Sequence, residues 1–170
     1  MTDQSPAITE AHYPAALLRV VNPIVRLLLR TRFTGAARKQ LMVLSFTGRK
    51  TGRQYSIPFS AHRIDDDLYA LTNARWKHNF RGGAPAQVLH AGKTTIIRGE
   101  LIKDPAIVAD LYRRALESYG AAFPQRTMGL KFRDRQIPAL EDFAEAVGRL
   151  KLAAIRLTPA PEATRGTDSA

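Results

Sequence analysis

The chain predicts an α+β fold in which a half-closed antiparallel β-barrel carries peripheral helices. Three observations lead there. Short apolar runs with strand character follow one another across glycine-containing turns. No strand–helix–strand alternation occurs, which argues against a Rossmann sheet. Helical periodicity is confined to the first 36 residues and to the region after residue 104. A length of 170 residues suits one domain, and 45% hydrophobic residues suffice for a core.

Residues 1–36 read as an N-terminal amphipathic helical segment. The first dozen residues are polar and mixed, without the basic start and apolar centre of a secretory signal. From Tyr13 to Arg30 the chain is apolar, but Arg19, Asn22, Pro23, Arg26 and Arg30 interrupt it, so it does not read as a membrane span. Two short helices fit better, with Asn22 as cap and Pro23 at the first helical position. Arg19, Arg26 and Arg30 share one face. Such a helix can lie on an anionic membrane surface, giving contact through residues 13–30, or its apolar side can cover the end of the core.

Residues 37–157 carry the barrel. Leu41 to Thr47 is a compact apolar run that suits a strand. Gly48-Arg49-Lys50-Thr51-Gly52-Arg53 is a turn. Gln54 to His62 is a second strand in which Tyr55, Ile57, Phe59 and Ala61 alternate with polar or small residues. Pro58 inside it predicts an edge or a bulge, because proline cannot donate to a central ladder. Asp65-Asp66-Asp67 turns the chain into a returning strand, Leu68 to Thr72, pairing with Gln54 to His62 as a hairpin. Trp76 to Arg81 is a short helical turn closed by Gly82-Gly83. Ala86 to His90 and Lys93 to Ile102 form another hairpin around Ala91-Gly92. Asp104 caps a helix that begins at Pro105 and stops near Gly120. Residues 121–137 give no clear pattern. Pro138 to Leu150 is a helix and Lys151 to Leu157 a last strand that closes or extends the sheet. Residues 158–170, rich in Pro, Ala and Thr, read as a flexible tail.

Charge is the strongest compositional signal. Lys and Arg number 26 against 15 Asp and Glu, for a net charge of +11 and a pI near 10.5. Arginine supplies 19 of those cations and lysine 7. The planar arginine fork binds phosphates and carboxylates, so anionic partners are expected: nucleic acid, anionic lipid or a phosphorylated cofactor. The absence of cysteine excludes disulfides, thiolate metal sites and cysteine nucleophiles, and fits a cytoplasmic setting. His12, His62, His78 and His90 are scattered without metal-ligand spacing, so no metal is expected. No catalytic group is singled out by spacing.

Two clusters can carry chemistry. In the turn 48–53, glycines let the backbone approach a ligand, Arg49, Lys50 and Arg53 supply about three charges, and Thr51 adds a hydroxyl. The spacing is not that of a Walker A loop. The ordinary alternative is a solvated hairpin turn. In Thr72-Asn73-Ala74-Arg75-Trp76-Lys77-His78-Asn79-Phe80 a strand ends and a helical turn begins. Trp76, the sole tryptophan, either anchors that turn in the core or walls a ring-binding pocket.

The run Leu44-Ser-Phe-Thr-Gly-Arg-Lys-Thr-Gly-Arg-Gln-Tyr-Ser-Ile-Pro58 resembles the signature of the deazaflavin-dependent nitroreductase family, T-G-R-[RK]-[ST]-G followed by a strand containing proline. The stretches Asn22 to Arg30, Trp76 to Pro85, and Gly92-Lys93 leading to Asp104-Pro105 are similar to the same family, so the resemblance spans roughly residues 20–157. It implies a split antiparallel β-barrel, flavin-reductase-like, with peripheral helices. It also implies coenzyme F420, an 8-hydroxy-5-deazaflavin with a phosphate and an oligoglutamate tail. Carried over residue by residue, Arg49, Lys50 and Thr51, with Arg53 beside them, hold the phosphate or tail carboxylates. Ser56, Ile57 and Pro58 back the deazaflavin ring. Thr72, Asn73 and Ala74 meet the phosphate or ring edge, and Trp76 and Asn79 match the family's W-x-x-N. The chain departs from many members in keeping only Arg75 between Ala74 and Trp76.

The expected function is hydride transfer from the reduced deazaflavin to an electron-poor small molecule such as a quinone, enone or nitro compound, as in nitroreductases and quinone reductases. The rivals are an FMN-binding reductase on the same barrel and a non-catalytic basic binder of membrane or nucleic acid. Against nucleic acid, no helix-turn-helix pattern or aromatic-rich basic strand is present. A monomer and a homodimer both fit.

Overall fold

The structure, a computed structural model, describes residues 5–10, 41–60, 62–119, 130–134 and 136–161. The helical reading of residues 13–30 and most of the tail lie outside them. The elements in chain order are β1 (Ile8–Glu10), β2 (Leu41–Thr47), β3 (Gln54–Ser60), β4 (His62–Ile64), β5 (Asp67–Thr72), a 3-10 turn (Arg75–Phe80), β6 (Ala84–His90), β7 (Lys93–Ile102), α1 (Pro105–Tyr119), β8 (Leu130–Phe132), α2 (Leu140–Leu150) and β9 (Ala153–Pro159). Among the described residues no helix is long and apolar enough to cross a membrane.

The main sheet has seven antiparallel strands in the order β3-β2-β6-β7-β9-β5-β4. Its two edge strands, β3 and β4, are consecutive in the chain with only residue 61 between them. A sheet whose edges are joined by one residue has to curl until they meet, and the result is a split antiparallel β-barrel. This corrects one expectation. The stretch from Gln54 is not a single strand paired with Leu68 to Thr72: Gln54–Ser60 pairs with β2, and only His62–Ile64 pairs with β5. Pro58 sits on the edge strand opposite Val43, where its missing donor breaks no outer ladder.

Each tight hairpin has a left-handed residue in its loop. Ala91 and Gly92, with φ of 50° and 81°, join β6 to β7, and Asp65, with φ of 53°, opens the two-residue turn between β4 and β5. Such loops match the twist of the strands they connect. The last strand takes neither edge. It lies between β5 and β7 and so stitches the two hairpins together, continuing to Pro159 where a tail was expected from 158.

The barrel interior is filled by alternate residues, among them Met42, Leu44 and Phe46 of β2, all 4% exposed or less. A second core lies between the barrel and the helices, where Tyr112 and Leu116 of α1 meet Phe143 and Val147 of α2. Asp104 caps α1 as expected: its Oδ1 accepts the Ala106 and Ile107 N–H groups at 3.0 and 3.1 Å. Helix α2 begins at Leu140, two residues later than its pattern indicated, where Asp142 accepts the Ala139 N–H at 3.1 Å.

Two strands fall where none was expected. Ile8–Glu10, inside the segment read as helical, pairs with Leu130–Phe132, inside the stretch without a pattern. Ile8 and Leu130 are each 1% exposed. Burial against α1 and α2 drives this pairing, and three residues are too few to show strand periodicity.

Two buried polar groups yield predictions. His62, on β4, is 3% exposed, and burial pushes its imidazole pKa down to about 4. The folded protein therefore refuses a proton that the unfolded chain accepts near pH 6.5, so the stability held above that pH is lost as pH falls toward 4. The loss amounts to about 3 kcal/mol. Urea unfolding at pH 7 and pH 4 should show a shallower pH dependence for His62→Gln, and parallel profiles would refute this. The Tyr112 hydroxyl is buried without a hydrogen-bond partner among the described residues. Tyr112→Phe should leave the unfolding free energy unchanged or raise it by up to about 1 kcal/mol. A clear loss would mean that the hydroxyl is satisfied.

Candidate functional site

Two rim segments rise from one end of the barrel. The first is the turn between β2 and β3. It is held by its own backbone, with Gly48 N–H donating to Arg53 O at 2.8 Å and Gly52 N–H to Gly48 O at 2.9 Å. Gly52 has φ of 66°, which glycine takes without strain. Arg53 N–H donates to Thr51 Oγ1 at 3.3 Å, and Arg49 N–H to Asn79 Oδ1 at 2.9 Å. Four of the turn's six N–H groups are thus engaged. Those of Lys50 and Thr51 have no acceptor among the described residues, so the expected backbone cradle reduces to two adjacent donors.

The second segment is the 3-10 turn, whose period of three residues sorts its side chains into three faces. Lys77 and Phe80 face inward, at 5% and 0% exposure. The Phe80 ring lies on Gly99 of β7, where a Cβ would come within 2.5 Å of it. The Lys77 ammonium donates to Asn73 O at 3.2 Å and to Lys151 O at 2.5 Å. Burial, reinforced by Lys151 and Lys103, lowers its pKa. Trp76 and Asn79 share a second face, and Arg75, His78 and Arg81 a third.

Between the two segments lies a groove of about 660 Å³ lined by Gly48, Arg49, Lys50, Thr51, Tyr55, Arg75, Trp76, His78, Asn79 and Arg81. Four of these residues are permanent cations and none is an acid. No ion pair engages the four among the described residues. The arrangement leaves a mark on His78: partial desolvation, and then the charges of Arg81, Lys77, Lys103 and Arg75, hold its imidazole below the ordinary range. One wall is aromatic. Tyr55 stacks on Phe46 with centroids 5.5 Å apart, and Trp76 packs against Phe46 and Phe59 at 5.8 and 5.9 Å. Trp76 is therefore both a core anchor and a wall of the groove. Among the described residues no cluster of His, Asp and Glu could hold a metal ion.

Of the residues singled out from the sequence, the groove brings together Arg49, Lys50, Thr51, Trp76 and Asn79. Arg53 is exposed and does not line it. Ser56 Oγ lies 2.9 Å from Ser45 Oγ across the β2–β3 ladder, Ile57 packs on the barrel core, and Pro58 sits further along the edge. Thr72 Oγ1 accepts the Ala74 N–H at 3.0 Å, and Asn73 Nδ2 donates to Glu10 Oε1 at 2.8 Å, so these three residues brace the start of the 3-10 turn. The sequence reading assigned no role to Tyr55, Arg75, His78 and Arg81, although Arg75 and His78 lie inside its second cluster. Three of them recur at intervals of three, a signal that becomes visible once the turn is read with a 3-10 period.

No protein-family model matches the chain, and no curated protein matches it. Among solved structures it is similar to a conserved hypothetical protein from Mycobacterium tuberculosis, with 13% identity over 94% of this chain and 87% of that one and a TM-score of 0.44. It is similar to a protein titled F420 reductase, with 16% identity, coverage of 73% and 89%, and a TM-score of 0.42. A third is a putative 5-nitroimidazole antibiotic resistance protein from Bacteroides thetaiotaomicron, with 10% identity, coverage of 93% and 86%, and a TM-score of 0.39.

The position of Gly48 gives a test of the groove wall. A Cβ there would lie 2.7 Å from Tyr55 Cε2 and 3.0 Å from Thr51 Oγ1. Gly48→Ala should displace the Tyr55 ring from Phe46, altering the near-ultraviolet circular dichroism and lowering stability by about 1 kcal/mol. An unchanged aromatic spectrum would show that the ring had room.

Proposed function

We propose that the chain is a split-barrel oxidoreductase whose groove holds a phosphorylated deazaflavin, coenzyme F420, and serves reduction of an electron-poor small molecule such as a quinone, enone or nitro compound. The observation that carries this reading is an acid-free groove with four cations beside an aromatic wall. Its volume is within the range of small-molecule sites, about 300–1,000 Å³. The family resemblance of the turn 48–53 supports the same ligand.

The residues present fit such a group. Lys50, Arg75, Arg81 and the free N–H groups of Lys50 and Thr51 would take its anionic end, and Tyr55 and Trp76 its planar end. Charge-assisted contacts of this kind are about twice as strong as neutral ones. A deazaflavin supplies the hydride chemistry when bound; the protein's part is to orient the ring and exclude water from one side of it. Desolvation and then the neighbouring cations lower the His78 pKa, which favours the neutral ring with one N–H donor and one acceptor. FMN offers the same phosphate and a similar ring, and it is the second reading.

Fluorescence titration of the purified protein with the deazaflavin coenzyme, with FMN as competitor, tests this. Saturable binding is expected, weakened about 100-fold in the Lys50→Ala/Arg75→Ala double variant. Preference for FMN selects the flavin reductase. Failure to bind either, with nucleic-acid affinity that falls steeply with salt, selects the non-catalytic basic binder.

A further inference from the structure

Asn79 lines the groove, yet both ends of its amide are used within the protein. Its Oδ1 accepts the Arg49 N–H at 2.9 Å, and its Nδ2 donates to Trp76 O at 2.8 Å. The same crossing is made a second time, because Arg49 Nη1 donates to Arg81 O at 2.7 Å. Two hydrogen bonds therefore join the turn 48–53 to the 3-10 turn, 30 and 32 residues apart in sequence. They are the cross-links between the two rims of the groove among the described residues, and both end on Arg49.

We infer that Asn79 is a positioning residue that clamps the β2–β3 turn to the 3-10 turn through Arg49, leaving ligand contact to Lys50, Thr51, Arg75 and Arg81. Arg49 shares the clamp: one guanidinium nitrogen is committed to a carbonyl, so its charge is fixed in place rather than free to follow a ligand. The consequence is a preformed groove. Turns bearing several cations repel one another when unliganded, and a site that must be assembled on binding forfeits affinity to ordering. The clamp meets that cost during folding. Only the ligand arm of the following test rests on the proposed function.

Amide hydrogen exchange on the full-length, ligand-free protein reads the clamp directly. Asn79→Ala should speed exchange of the Arg49 N–H by about tenfold or more while the melting midpoint barely moves. Lys50→Ala, which removes a charge and neither hydrogen bond, should leave that exchange unchanged. Wild-type exchange at Arg49 in Asn79→Ala overturns the inference. So does an Arg49 N–H that exchanges in the wild-type protein as fast as an unprotected amide, which also decides the matter if Asn79→Ala does not fold.

In the ligand arm, deazaflavin coenzyme is titrated at several salt concentrations. Asn79→Ala should weaken binding by about threefold to tenfold with a salt dependence parallel to wild type, because no contacting charge is removed. Lys50→Ala should give a shallower dependence. A shallower slope for Asn79→Ala would make it part of the ligand contact and refute the positioning role. If the wild-type protein does not bind the coenzyme, the proposed function falls and the exchange measurement still decides the clamp.

Discussion

One constraint organises the molecule: strands β3 and β4, at opposite edges of a seven-stranded sheet, are separated by a single residue of chain. The sheet has to close. Curling brings the two edges together with no ladder between them among the described residues, so β3 and β4 stay the edge strands of a split barrel. The same curling forces the β2–β3 turn and the segment after β5 toward a common rim. β9 completes the arrangement by lying between β5 and β7, so the ladder that carries the 3-10 turn is bonded on both sides. The groove is a product of closure, since its two walls come from segments that become neighbours only when the barrel forms.

The 3-10 turn converts that framework into a site. A period of three allows inward, groove-facing and cationic residues to follow one another without interference. Phe80 fixes its depth by lying on Gly99, where no other residue leaves room, and Lys77 ties its underside to the Lys151 carbonyl, two residues before β9. Arg75, His78 and Arg81 are left along one edge of the groove. An α-helical turn of the same length would rotate these three by roughly 60° per step and scatter the charge.

The sequence made most of this architecture legible, for identifiable reasons. The turn 48–53, the acidic turn 65–67 and Ala91-Gly92 marked the hairpins, Pro58 marked an edge or a bulge, and Asp104-Pro105 marked the start of α1, because each feature depends on local chemistry. The pairing of Ile8–Glu10 with Leu130–Phe132 was not legible. It joins three-residue strands about 120 positions apart, and only the second core makes it favourable. The break at residue 61 was hidden as well, since β3 and β4 look like one alternating run until the partners of each are known. At the site, Arg49, Lys50 and Thr51 stood out as a motif. Tyr55 read only as an inward strand residue and Arg81 as the end of a helix, because facing a groove is a property of the closed barrel.

A groove lined by four cations has a structural difficulty, and the way this one is held together addresses it. Arg49, Lys50, Arg75 and Arg81 line one space of about 660 Å³ and repel one another. Carboxylates could relieve the repulsion, as Asp65 does for Arg114 and Asp67 for Arg156 elsewhere on the surface. Inside the groove they would also cancel its positive field. The ties found there are neutral instead: the Asn79 amide and the Arg81 carbonyl. They restrain Arg49 without neutralising it, and beside it desolvation, followed by the charges of Arg81, Lys77, Lys103 and Arg75, holds the His78 pKa below its ordinary value. A basic surface built only for solubility has no reason to exclude acids from one groove while pairing them freely outside it. The selective placement of charge, more than its total of +11, is what singles this groove out as the candidate functional site.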